Sequence, residues 1–313
     1  MTGATEPPRN ADSAAADASS VTTHAHGTRS RFLILVAAAL FSTGGAAIKS
    51  VSLTGWQVAS LRSAVATIAL AVMLPGARRR PSLAMLGVGT VYAATLVLFV
   101  QANKLTTSAN AIFLQDTAPL YVLLASPFLL RERITRADLW FLAALAVGLS
   151  AFFVGQEAPR GTAPNPGLGN LAAAASGLTW AATVIGLRWL GTRQSDRSAI
   201  EPALLFGSLI AAASTLPMAL PLSSVSATDW TIILFLGTVQ IGLAYVCLSK
   251  GMPGVPALEA SLLLLLEPVL NPIWSWLVHG EMPGSWAIAG GVLILAATAC
   301  RTWWDATVSS TAA

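Results

Sequence analysis

The sequence predicts an all-α polytopic membrane protein with ten transmembrane helices arranged as two inverted five-helix repeats. Three observations carry this. The 313 residues are 55% hydrophobic and 10% charged, with a mean hydropathy of +0.68, too little charge to cover a water-soluble protein of this size. The charges are clustered, which leaves long apolar runs, and about 20 such residues span the hydrocarbon core as a helix. Finally, TTSANAIFLQDTAPLYVLLASPFLLRERITR (106–136) is echoed by VPALEASLLLLLEPVLNPIWSWLVHGEMPGS (255–285). One shift of 149 residues lays Pro119 on Pro268, Glu132 on Glu281, Ala111 on Ala260, Leu114 on Leu263 and Ser126 on Ser275. Arg131, Arg133 and Arg136 close the first copy, whereas the second has no Lys or Arg there. One repeat crossing a membrane in opposite directions would need that asymmetry.

Residues 1–31 are rich in Ala, Ser, Thr and Pro without periodicity and read as a disordered cytoplasmic tail. His24 and His26 belong to it and have no further ligands nearby, so no metal site is expected. Arg29 and Arg31 precede an apolar segment that has no small-residue cleavage site, so this segment reads as an anchor. Ten spans follow: 32–50, 55–75, 83–102, 107–130, 137–154, 168–190, 199–220, 229–249, 256–278 and 284–302. The first repeat is 32–154, an extracytoplasmic linker is 155–167, the second repeat is 168–302, and 303–313 form a cytoplasmic tail. The linker GQEAPRGTAPNPG is the longest loop and is Gly/Pro-rich, so no loop holds a soluble domain. Cys247 and Cys300 both lie in apolar segments, which indicates neither a disulfide framework nor a metal.

Orientation follows from the basic residues. With the N-terminus inside, fourteen Lys and Arg fall in cytoplasmic segments, only Lys49, Lys104 and Arg160 fall outside, and Arg62 lies within a span. This bias places both termini in the cytoplasm and the protein in the cell membrane. The basic pI, about 9.5, therefore reflects loop charges and not a nucleic-acid face. Five spans per repeat is an odd number, so the second repeat enters the membrane inverted. Its loop PLSSVSAT (221–228) is uncharged, whereas its counterpart GARRRPS (76–82) is basic. Inverted repeats of this kind form transporters with a site near the midplane between the halves.

Four stretches carry a family resemblance: LFSTGGAAIK near the start, ANKLTTSANAIFLQDTAPLYVLL with LLRERIT, LTWAATVIGLR opening the second half, and VPALEASLLLLLEPVLNPIWSWLVHGE. In order and spacing they resemble the EamA-type transporters of the drug/metabolite transporter superfamily, over roughly residues 32–302. The resemblance implies ten helices, a central cavity and export of small metabolites, often amino acids or related solutes. An acid at Asp116 departs from the neutral residue expected of the family there.

Ionisable groups inside the spans are few: Arg62, Asp116, Glu259 and Glu267. Each costs about 2.5–3.5 kcal/mol at a helix centre on insertion scales, so each needs a partner, water or a function. Glu267, Asp116 and Arg62 lie deepest and are the candidates for substrate binding or proton coupling; the competing reading is an internal salt bridge that fixes packing. Glu259, near the interface, reads as solvated, and Glu132 and Glu281 as solvated ends or helix caps. Gln115, Asn271 (one turn beyond Glu267) and Gln240 supply neutral polar groups that hydrocarbon cannot satisfy. Trp180 and Tyr92 offer an aromatic wall, while Pro119 and Pro268 are expected to kink the fourth and ninth helices. Ser42, Thr43, Gly44 and Gly45 read as a close-packing patch.

No Walker loop, HExxH or Gly-x-Ser-x-Gly occurs, and no histidine lies within a span interior, so neither a catalytic residue nor a cofactor is expected. The expected partners are a small solute, the lipid bilayer and a coupled proton. A channel would need a continuous polar stripe along several helices, and a membrane enzyme or scaffold a cluster at one depth; these are the alternative readings.

Overall fold

Helices start where side chains cap them. In the computed structural model, which describes residues 28–129, 136–154, 158–193, 200–222, 225–252, 255 and 257–311, Thr54, Ser82, Thr107 and Ser226 each accept a backbone N–H three residues on. The chain runs α1 (Thr28–Ser50), α2 (Gly55–Met73), α3 (Leu83–Leu105), α4a (Ser108–Gln115), α4b (Ala118–Leu129), α5 (Arg136–Val154), α6 (Pro166–Arg193), α7 (Ile200–Ala219), α8 (Ala227–Gly251), α9a (Ala257–Leu264), α9b (Leu266–His279) and α10 (Ser285–Thr311). Eight stretches are long and apolar enough to cross a membrane. Ser285–Arg301 is a shorter apolar helix, and α4a with α4b completes ten. Among the described residues there is no β-sheet, only an isolated bridge between Arg160 and Ala163.

Beside the prolines expected to kink them, the fourth and ninth spans lose the regular helical ladder for a residue or two, at Asp116–Thr117 and at Leu265, with Asp116 and Leu265 still in the right-handed helical region. The break follows from proline chemistry. Proline has no N–H to donate four residues back, and its ring clashes with that carbonyl. Four residues before Pro119 is Gln115, the last residue of α4a, and four before Pro268 is Leu264, the last of α9a. Each proline thus falls in the first turn of the second segment, where a missing N–H costs least. At Asp116 the amide still reaches Ile112 O (2.9 Å), but at Thr117 the ladder tightens, and the Thr117 hydroxyl donates to Leu114 O (2.6 Å). The shift of 149 that aligns the prolines also carries Gln115 onto Leu264, so the two breaks share one register.

The repeats interleave. The main contacts pair α3 with α6, α2 with α7, α3 with α7, α5 with α10, and α2 with α8, each joining a first-repeat helix to a second-repeat one. At two of the crossings glycine backbone meets glycine backbone. A Cβ on Gly207 would lie 2.6 Å from Gly89 O, and one on Gly290 would lie 2.7 Å from Gly148 O. Phe32, Ile68, Val72, Leu83, Trp140 and Val147 are among the large apolar side chains left exposed, a surface that suits lipid.

One end of the bundle is tied together across the repeats by buried charge and hydrogen bonds. Lys49 at the end of α1 pairs with Glu281, just past α9b, at 3.2 Å, with side-chain exposures of 4% and 2%. Lys49 Nζ also donates to Thr106 O (2.7 Å) and to Thr162 O, and Glu281 Oε1 accepts Ser108 N (2.7 Å), capping α4a. Glu281 is therefore not a solvated helix end, and the helix it caps belongs to the other repeat. Nearby, Lys104 Nζ donates to Val51 O (2.6 Å), and Asp229 accepts Ser52 N (2.8 Å) and Ser52 Oγ (2.7 Å). Toward the opposite end, Arg301 on α10 pairs with Asp138 on α5 at 2.6 Å.

Helix extends into both expected tails. It begins at Thr28 and runs to Thr311, because neither Gly nor Pro stands between Thr28 and the first span or beyond Arg301. The remainder of the expected N-terminal tail, with His24 and His26, lies outside the described residues, as do Arg131, Glu132 and Arg133 and the side chain of Glu259.

Candidate functional site

A cavity of about 210 Å³ lies between the repeats. Seven of the eight polar and aromatic residues expected at a site line it: Glu267, Asp116, Arg62, Gln115, Gln240, Trp180 and Tyr92. Pro268 also lines it, and Pro119 does not. The helix breaks explain the acids. Asp116 stands in the gap between α4a and α4b, and Glu267 opens α9b, so both broken helices present a carboxylate at the interruption. Both carboxylates line the one cavity. Asp116 Oδ2 is buried without a hydrogen-bond partner.

Arg62 comes from α2 and is 1% exposed. Its Nη2 donates to Leu96 O (3.3 Å), while Nε and Nη1 have no hydrogen-bond partner. Among the described residues no ion pair joins it to Asp116 or Glu267, so the internal salt bridge weighed from the sequence is not made in this conformation. Tyr92 is placed by the glycine crossing, since a Cβ on Gly207 would sit 2.7 Å from its Cδ1. Trp180 is set by hydroxyls on either side, with Thr95 on α3 donating to Thr179 (3.0 Å) and within 3.4 Å of Thr183 on α6. Gln240 reaches across to α1, its Nε2 donating to Phe41 O (3.4 Å), and Gly44 leaves it room, for a Cβ there would lie 2.9 Å from that nitrogen.

Asn271 is elsewhere. It is fully buried beside Gly45, whose Cβ, were there one, would lie 2.5 Å from Asn271 Oδ1, 2.9 Å from Ser108 Oγ and 3.0 Å from Asn103 Oδ1. One turn beyond Glu267 on the same face carries it past the cavity, toward the end held by Lys49 and Glu281. The patch at Ser42–Gly45 packs closely and also bonds, since Ser42 Oγ accepts Trp274 Nε1 at 2.9 Å.

The aromatic wall is larger than the sequence showed. Tyr245 stands edge-on to both Phe41 (5.1 Å between ring centres) and Tyr92 (5.9 Å), and all three line the cavity. Tyr245 is five residues after Gln240, which a 3.6-residue period turns to a different face. Helix α8, however, is π-helical over Leu236–Leu243, and its wider turns bring both side chains to the cavity. The arrangement can hold a small organic solute among rings, with a guanidinium and a carboxylate pair in reach.

Residues 29–154 and 167–302 each match the EamA-like transporter family, one match per repeat. The chain belongs to the EamA-like transporter family. Like its family, it is a multi-pass membrane transporter with a lipid environment and a small-molecule substrate. It is similar to the pseudopaline exporter CntI of two strains of Pseudomonas aeruginosa, UCBPP-PA14 and PAO1, at 28% identity over 273 residues, covering 85% of this chain and 93% of each relative. The EamA-like fold also resembles a solved crystal structure with a TM-score of 0.60 at 20% identity, over 90% of this chain and 99% of the other.

Proposed function

We propose that this EamA-like protein is a secondary exporter of small metabolites, amino acids or related amphipathic solutes, working by alternating access through the central cavity. The carrying observation is that the two broken helices, one from each repeat, bring Asp116 and Glu267 into one cavity with Arg62 and an aromatic wall. The pseudopaline exporters, relatives over most of their length, support export of a metabolite. The buried Lys49–Glu281 pair joining the two repeats at one end favours a carrier over an open pore. In the cell membrane, with both termini cytoplasmic, that end faces outward, in keeping with the distribution of basic residues. In this reading 32–154 and 168–302 are the two moving halves, and Glu267 carries a proton exchanged for solute, the chemistry suited to a carboxylate held inside the membrane.

Glu267→Gln tests this because it keeps the size and removes the charge. In proteoliposomes holding a panel of labelled amino acids and a trapped pH indicator, the variant is expected to fold and insert but to lose solute-driven proton movement and its pH response. Unchanged flux and pH response at matched protein would overturn the reading.

A further inference from the structure

The charges in the cavity are divided rather than neutralised. Arg62 is buried, and among the described residues its Nε and Nη1 are unpartnered and no carboxylate is in ion-pairing reach. Asp116 and Glu267, from the two broken helices, line the same cavity, and among the described residues Asp116 Oδ2 is likewise unpartnered. A buried guanidinium without an anion is expensive in the membrane interior. Its free edge is a planar fork whose geometry fits a carboxylate. Two carboxylates sharing one desolvated cavity disfavour each other's charge until a cation or proton joins them. The rings of Phe41, Tyr92 and Tyr245 line the same cavity and offer apolar faces with no formal charge. A solute that completes every one of these groups carries an anion at one end, a cation at the other and an apolar body.

We infer that the cavity binds its solute as a zwitterion, the carboxylate on the Nε/Nη1 edge of Arg62 and a protonated amine between Asp116 and Glu267. This rests on the reading of the cavity as the transport site and adds what that reading leaves open, namely which residue recognises which end. Arg62 is then the residue that favours the amino acid over its plain amine, and the two acids favour it over its plain carboxylate.

Two matched probe sets test it on the full-length protein in lipid nanodiscs: L-phenylalanine with 2-phenylethylamine and 3-phenylpropionate, and norleucine with pentylamine and hexanoate. Each set keeps one body and deletes the carboxylate or the amine. At least one amino acid is expected to bind about tenfold or more tighter than both of its truncated partners, the scale of a charge-assisted hydrogen bond. Arg62→Gln should bring the amino acid down to the affinity of its amine and leave the amine unchanged. Asp116→Asn with Glu267→Gln should bring it down to its acid. If Arg62→Gln fails to fold, Arg62→Lys keeps the charge without the fork and should weaken the amino acid alone.

If neither amino acid outbinds its partners, or Arg62→Gln weakens amine and amino acid equally, the assignment is overturned. The two readings fail separately. Flux of other labelled solutes without amino-acid preference would sink the zwitterion and leave transport standing. Ranked binding in nanodiscs with no flux in proteoliposomes would sink transport and leave the binding mode standing.

Discussion

Glu281 joins three segments from both repeats, and what it neutralises is a lysine with almost no access to water. Removing one member of a buried ion pair strands the other, at a cost of about 3–5 kcal/mol. Glu281→Ala is therefore expected to lower unfolding stability on that scale, measured by denaturant or thermal unfolding in detergent. Lys49→Met with Glu281→Gln, which leaves no charge but keeps an acceptor for Ser108 N, should recover more than half of the loss. This pair was not legible in the sequence, because each residue sits at the end of a span, where a charge reads as solvated. Arg62, Asp116 and Glu267 were legible for the opposite reason: a charge deep in an apolar run has no solvated reading. The limit of such reasoning shows at Asn271, which shares a face with Glu267 but lies at the depth of Gly45 instead of the cavity. Spacing along one helix fixes the face; only the neighbouring helices fix what that face meets.

At the scale of elements, backbone contact at glycine joins the repeats. Gly207→Ala places a Cβ 2.6 Å from Gly89 O and 2.7 Å from Tyr92 Cδ1. Helix separation of that kind costs about 1–3 kcal/mol, expected as lower thermal stability. Gly161→Ala, where nothing lies within 4 Å, should leave it unchanged. The breaks in α4 and α9 could be foreseen as proline effects, but their placement on Asp116–Thr117 and Leu265 could not, because the groups that proline frees are satisfied by neighbours. What decides for a gap here includes the Thr117 hydroxyl on Leu114 O. The π-helical stretch of α8 left no trace in a 3.6-residue pattern, and Tyr245 was missed with it.

For the whole molecule, the count of spans and the two-repeat architecture were legible because hydropathy, an odd number of helices and one repeat offset all point to the same fold. How the repeats interleave was not, since helix pairing in lipid depends on small residues meeting across chain-distant positions such as Gly89 and Gly207. Orientation is tested with single cysteines replacing Arg79 or Arg160 in a chain lacking Cys247 and Cys300. An impermeant thiol reagent applied to intact cells is expected to label position 160 and spare 79; the reverse pattern would invert the topology. The placement of the charged groups along their spans has an electrical consequence. Arg62 is the eighth of the 19 residues of α2, and Glu267 the eleventh of the 23 residues of the ninth span, 257–279, so both lie well inside the spans that the field across the membrane acts on. A full crossing is worth about 2.3 kcal/mol per charge at 100 mV. A proton or charged solute stopping at mid-depth therefore gains or loses about 1 kcal/mol from voltage alone before either half has moved.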